Sequence, residues 1–237
     1  MGRMMKNTGR LVRIGLLGAA FDPPHFGHLR LAQLALNSHE IDEIWLVPSP
    51  ERWDKKPVAS AEHRVAWLKA AVNLSPHELR SRLQVTDIEL QQPTYRGTYQ
   101  LILQLSQLYL DKSFTLVLGW DSFVGIPAWR DPTTGELNGD KLLKSTRCLV
   151  SPRANSQTIE HSPHPAPHNG GVVMLPALDD PEAGDIDWMV GVNALQVAAL
   201  SSSLIRTAIA TNTPLEFLFP EIEKQIRDGG DYEKNKK

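Results

Sequence analysis

Leu11-Val-Arg-Ile-Gly-Leu-Leu-Gly18-Ala-Ala-Phe-Asp-Pro-Pro-His-Phe-Gly-His28 is the stretch on which the fold turns. Leu11 to Gly18 is aliphatic and β-branched, Ala19 to Pro24 breaks it, and Gly27 to Asn37 resumes with Leu29, Leu31, Ala32, Leu34, Ala35 and Leu36. That order is strand, loop, helix. Gly18, Ala19 and Ala20 carry little or no side chain, so backbone amides there can approach a bulky anion, and the following helix aims its positive end at the same place. His25 and His28 lie three apart at that helix start, where they share a face and can donate to phosphate oxygens. Taken singly, one histidine would cap the helix and the other would pack.

Working outward, the alternation repeats. Glu43 to Pro48 is a short apolar strand, a polar loop runs through Pro57, and Ala61 to Val72 has helical spacing. Leu83 to Leu90 alternates as a strand does, Gln92 to Gly97 is a loop, and a helix follows through Tyr109. Phe114 to Gly119 is a continuous apolar run, the pattern of a strand buried on both faces. Arg147 to Val150 and Gly171 to Leu175 supply two more short strands, and Ser201 to Ala210 and Pro214 to Arg227 two more helices. Strands separated by helices imply right-handed crossovers. The expected fold is α/β, a Rossmann-like open, mainly parallel sheet with helices on both faces and a small C-terminal helical portion.

The 237 residues, at about 150 per domain, allow one large domain or two small ones. We read residues 1–10 as a flexible tail, 11–228 as a single domain with turn-rich insertions near 131–140 and 151–171, and 229–237 as a charged tail. The second insertion holds His161, His164 and His168 among prolines, a solvated loop rather than a metal site. Lys and Arg number 25 against 27 Asp and Glu, a balance that disfavours a nucleic-acid partner. The single cysteine, Cys148, allows no internal disulfide, and no apolar run spans a bilayer. A reducing cytoplasm is the expected setting; the sequence leaves homo-oligomerisation open.

The first loop resembles the G-G-[ST]-F-D-P-x-H-x-G-H signature of the HxGH nucleotidyltransferases, in particular the bacterial nicotinate-nucleotide adenylyltransferases. A bare H-x-G-H also occurs in class I aminoacyl-tRNA synthetases, which are much longer. Downstream, Leu118-Gly-Trp-Asp-Ser-Phe followed by Ile126-Pro-Ala-Trp129 is similar to the family's G-x-D and W block. Leu200-Ser-Ser-Ser-Leu-Ile-Arg206 is similar to its I-S-[SA]-T-x-I-R motif, with Ser203 for threonine, and Pro93-Thr-Tyr95 to its P-S-Y stretch. The matches run in the family's order from residue 11 to about 232.

The resemblance implies adenylyl transfer from ATP to a pyridine mononucleotide, with Mg²⁺ carried on the ATP phosphates. It implies that His25, His28 and Arg206 carry catalysis, and that Gly18, Ala19, Ala20, Phe21, Asp22, Gly119, Asp121, Ser201 and Ser203 bind ATP. Asp22 holds the metal through water or is an Asx cap. On the pyridine side it implies Lys55, Lys56, Tyr95, Arg96, Trp129 and Arg153. Trp129 stacks on the ring or belongs to the core; Lys55 or Lys56 neutralises the mononucleotide phosphate or both stand in solvent.

Three departures bear on substrate. Ala19 and Ala20 replace the family's second glycine and hydroxyl residue, the loop after the second strand is lysine-rich, and Arg96 stands where a threonine is expected. An arginine there clamps a nicotinate carboxylate or points to solvent. The rivals are another transferase of the superfamily, of pantetheine-phosphate or cytidylyl type, and a regulator that binds nucleotide without turnover.

Overall fold

A computed structural model describes residues 9–51, 56–153 and 171–233. The readings that fall on Lys55, on the histidines of the 151–171 excursion and on the outermost ends lie outside those residues.

Six strands form one sheet in the order β3-β2-β1-β4-β5-β6, all parallel. They are β1 (Val12–Ala19), β2 (Glu43–Pro48), β3 (Leu83–Val85), β4 (Lys112–Gly119), β5 (Arg147–Ser151) and β6 (Val172–Met174). Chain order reverses between β1 and β4, so the ligand crevice of such a sheet opens at their carboxyl ends. Gly15 lies mid-strand for a steric reason: a Cβ there would sit 2.6 Å from Ile41 Cδ1 and 2.9 Å from Val117 Cγ2. Gly18 and Gly119, at the two strand ends, have nothing closer than 3.9 Å and open space respectively. The sequence's two strand-end glycines therefore leave room above the switch point.

Helices cover both faces. On one, α1 (Phe26–Asn37), α2 (Ala61–Leu74), α7 (Ala194–Ala199), α8 (Ser202–Ala210) and α9 (Pro220–Gly229) close a core around Leu34, Ile44 and Phe217. The opposite face carries α4 (Thr98–Leu108), α5 (Trp120–Gly125) and α6 (Gly139–Ser145) over Ile14, Leu105 and Leu116. The short α3 (His77–Arg80) leads into β3. Arg30 of α1 is fully buried, yet its guanidinium donates to the carbonyls of Asp180 at 2.6 Å and Gly184 at 3.0 Å, and to Gln33 at 2.9 Å. It ties the chain after β6 to the first helix, a role that no sequence pattern announced.

Three boundaries differ from the sequence reading, each with a local cause. The third strand stops at Val85, because β2 ends at Pro48, which has no N–H to extend the ladder; Leu90 and Gln91 instead donate to the Asp87 carbonyl in a turn. The last helix begins at Pro220, not Pro214. Proline pre-sets the first helical position, and Phe217, Leu218 and Phe219 before it are buried in extended form, with the Phe26 N–H donating to Phe217 O at 2.8 Å.

The 131–140 segment is an exposed turn, as read, but its two ends are anchored. Asp131 is buried, its carboxylate accepts from the amides of Thr133 and Thr134, and Gly139 packs so tightly that a Cβ would collide with Ile126 O. Beyond residue 228, Tyr232 is buried where a solvated tail was expected.

Candidate active site

After β1 the chain turns through Phe21, held at φ 49°, and the cis Asp22–Pro23 bond into His25, the N-cap of α1. The two histidine rings lie 3.8 Å apart between centroids. His28 Nδ1 accepts the His25 backbone N–H at 3.2 Å, which assigns the proton of the neutral His28 ring to Nε2 as a donor. Burial, with the like charges of His28 and Arg153 adding, holds His25 well below the usual imidazole range. At neutral pH His25 is a neutral hydrogen-bonding group. Gly27 is required between them: a Cβ there would lie 2.9 Å from His25 Nδ1 and 3.3 Å from Val197 O.

The distal motif comes to the same place. Ser201 caps α8, its Oγ accepting the Leu204 N–H at 3.2 Å, and Ser202 Oγ donates to Pro23 O at 3.0 Å. Arg206 Nη1 donates to Asp22 O at 2.6 Å, and Nη2 to Ser203 Oγ at 3.1 Å. The helix start and its guanidinium are thus fastened to the loop that bears the histidines. Of the three serines the contact to that loop falls to Ser202, which the motif reading passed over.

The sequence groups Arg153 with the pyridine side and leaves a phosphate role open. Its Nε donates to Asp121 Oδ2 at 2.9 Å and its Nη1 to Leu200 O at 2.8 Å, bridging the end of β4 to the start of α8, close enough to act on His25.

Asp22 is gripped from several parts of the chain. Its carboxylate, 2% exposed, accepts the N–H of Val58 at 2.8 Å and of Ala59 at 3.0 Å and the Tyr232 hydroxyl at 2.8 Å, with Arg206 Nη1 at 3.6 Å. Oδ1 thus has two donors and Oδ2 one. Beneath the loop, buried Arg64 of α2 donates to Ala20 O and, at 3.0 Å, to Ser49 O. Neither Arg64 nor Tyr232 was singled out by sequence. A buried charge and a distant hydroxyl have no local motif.

Trp129 is half-buried against the second core, and shares a cleft with Arg96 and Tyr99. Arg96, 57% exposed, approaches buried Asp131 at 3.7 Å. Tyr95 lies beside it on a groove of about 320 Å³ along α4. Lys56 stands 75% exposed, paired with Glu51 at 3.3 Å.

The chain belongs to the cytidylyltransferase-like family, whose model matches residues 16–208. Within that class its curated relatives are named probable nicotinate-nucleotide adenylyltransferases. That of Pseudomonas fluorescens is 33% identical over 88% of this chain and 91% of its own, and that of Shouchella clausii 30% over 94% and 98%. Among solved structures, the Plasmodium falciparum nicotinic acid mononucleotide adenylyltransferase complexed with NaAD superposes with a TM-score of 0.69 at 19% identity. It covers 93% of this chain and 97% of that one, a likeness of fold. No described helix is long and apolar enough to cross a membrane.

Proposed function

We propose that this protein transfers the adenylyl group of ATP to the 5′-phosphate of nicotinate mononucleotide, releasing pyrophosphate and deamido-NAD. The observation that carries the reading is the docking of the α8 motif, Ser202 and Arg206, onto the loop that presents His25 and His28 at the open ends of β1 and β4. The names of the curated relatives supply the substrate.

A mononucleotide phosphate oxygen attacks the α-phosphorus, and the bond from that phosphorus to the bridging oxygen breaks with its electron pair leaving on pyrophosphate. The nucleophile is already an anion, so no general base is needed. The protein's task is to align two anions and stabilise the charge that moves to the leaving group. His28, with its Nε2 proton, donates to the triphosphate; neutral His25 orients it; Arg206 and the α8 amides take the β and γ phosphates. Backbone amides of Gly18 to Phe21 complete the cradle, so Ala19 and Ala20 cost only a hydroxyl. Gly119 leaves space for the adenosine, and Asp121 accepts from its ribose while Arg153 holds the carboxylate in place.

Mg²⁺ fits as a passenger on ATP. Asp22 is buried with three donors on its carboxylate, and among the described residues no three His, Cys, Asp or Glu side chains gather to hold an ion. When bound it neutralises charge on the phosphates. Trp129 stacks on the pyridine ring, with Tyr95 beside it, and Arg96 pairs with the ring carboxylate, which favours the acid over nicotinamide mononucleotide. Lys55 or Lys56 meets the mononucleotide phosphate. The net charge and the absence of a long apolar helix among the described residues support action on small molecules in the cytoplasm, not on nucleic acid.

The test is pyrophosphate release with ATP, Mg²⁺ and each pyridine mononucleotide. Faster turnover of the nicotinate substrate is expected. Release only with phosphopantetheine or with CTP substrates, or binding without any release, overturns the proposal.

A further inference from the structure

Asp22 is where three distant parts of the chain meet. Its carboxylate anchors the amides of Val58 and Ala59, receives the hydroxyl of Tyr232 on Oδ1, and stands 3.6 Å from the guanidinium that α8 sends to the phosphates. Tyr232 is delivered there by a short turn: Gly230 takes a left-handed conformation (φ 66°) at the end of α9 and reverses the chain. Asp231 then reaches His63 at 2.9 Å, and the tyrosine ring lies 6.1 Å from Trp67. Both contacts are to α2, so the C-terminal turn is fastened before its hydroxyl reaches the loop.

A carboxylate has about four acceptor positions, and one that lacks donors takes them from the nearest cation. Here the nearest is Arg206. The oxygen that faces Arg206 at 3.6 Å is Oδ2, which accepts the Val58 N–H alone, whereas Oδ1 is filled by Ala59 and Tyr232; Arg206 meanwhile spends one N–H on the Asp22 backbone carbonyl and one on Ser203. Without the tyrosine hydroxyl the carboxylate keeps only its two backbone donors, carries more uncompensated charge, closes its Oδ2 onto Arg206 and withdraws the guanidinium from the triphosphate.

We infer that Tyr232 is a positioning residue for adenylyl transfer: its hydroxyl occupies Asp22 so that Arg206 remains free to hold the ATP phosphates. The inference rests on the reading of the first loop as the ATP site.

Tyr232→Phe keeps the ring on Trp67 and removes one oxygen. It should raise the Kd of a non-hydrolysable ATP analogue, and the KM for ATP, roughly tenfold, the size expected for a charge-assisted contact. The KM for nicotinate mononucleotide should stay within about twofold. In the Asp22→Asn background, where no anion competes for Arg206, the same substitution should change the analogue Kd less than about twofold. A structural role alone would lower the melting temperature and leave the split between the two substrates untouched. An unchanged Kd in Tyr232→Phe, or an equal tenfold loss in the Asp22→Asn background, overturns the inference.

Should Tyr232→Phe not fold, Asp22→Asn alone carries the test: with one negative charge removed beside the triphosphate it must bind the analogue more tightly than the parent, and weaker binding refutes the inference. Because the analogue needs no pyridine substrate, these affinities still decide the matter if no pyridine mononucleotide is turned over.

Discussion

The two ends of the crevice are built differently. At the proposed phosphate end His25 is 6% exposed, Asp22 and Arg64 are buried, and the groups proposed to hold ATP are tied to one another by hydrogen bonds that cross from β1 to α2, α8 and the C-terminal turn. Of the residues proposed for the pyridine nucleotide, Arg96 and Lys56 stand mostly in water, and Arg96 reaches its acidic neighbour only loosely. A triphosphate needs charge and donors fixed before it arrives, since preorganised dipoles act without reorganising. A ring substituent is read by a few groups on loops, which can close on their ligand.

The largest effect should therefore come from the rigid end. Replacing His28 with alanine removes the donor that meets the leaving pyrophosphate, and kcat should fall on the order of 10²-fold, about 3 kcal/mol. Steady-state pyrophosphate release measures it; a loss under about fivefold would mean that the amides and Arg206 carry the leaving group alone.

Next is Gly27→Ala. The added carbon would lie 2.9 Å from His25 Nδ1 and 3.3 Å from a backbone carbonyl of α7, so either the imidazole or the helix must move. Overpacking of this kind costs about 1–3 kcal/mol, visible in denaturant unfolding, and the displaced His25 should lower kcat as well. Loss of stability with full activity would place His25 outside the reaction.

The same burial gives a pH dependence. His25 is held below the ordinary imidazole pKa of 6.5 in the folded chain, so on acidification the unfolded chain takes up its proton first. The contribution is complete above about pH 6.5 and is lost as pH falls below it, at no more than about 1.4 kcal/mol per pH unit. Melting curves from pH 7 to pH 5 should slope downward, and His25→Gln should flatten that slope. The exposed pyridine end should add nothing to it.

The difference between the ends also explains what could be read from the sequence. The sheet and most helices follow from apolar runs and their punctuation, because burial on both faces of β1 and β4 forces continuous apolar text. The phosphate loop is contiguous, so its histidines and Gly27 appear side by side. Arg64, Ser202 and Tyr232 act on that loop from 44 to 210 residues away in the chain, and only folding puts them there. Arg153 illustrates the limit of a matched motif: its neighbour in sequence is the end of β5, whereas its contacts, Asp121 and Leu200, come from two other motifs.

The smallest expected effect belongs to the exposed end and concerns choice of substrate rather than rate. If Arg96 meets the ring carboxylate, Arg96→Ala should cut the kcat/KM preference for the nicotinate over the nicotinamide substrate about fivefold, near 1 kcal/mol, with the KM for ATP unchanged. Asp131→Asn refines the point. Asp131 Oδ1 accepts from the amides of Thr133 and Thr134 and would still do so as an amide oxygen, while Oδ2, the atom that faces Arg96, loses its charge. An arginine freed from that carboxylate has only the substrate's to pair with, so the preference for the acid should rise by about twofold while the turn stays folded. A fall instead would mean that Asp131 holds Arg96 in its working orientation, and that the exposed end of the crevice is as preorganised as the buried one.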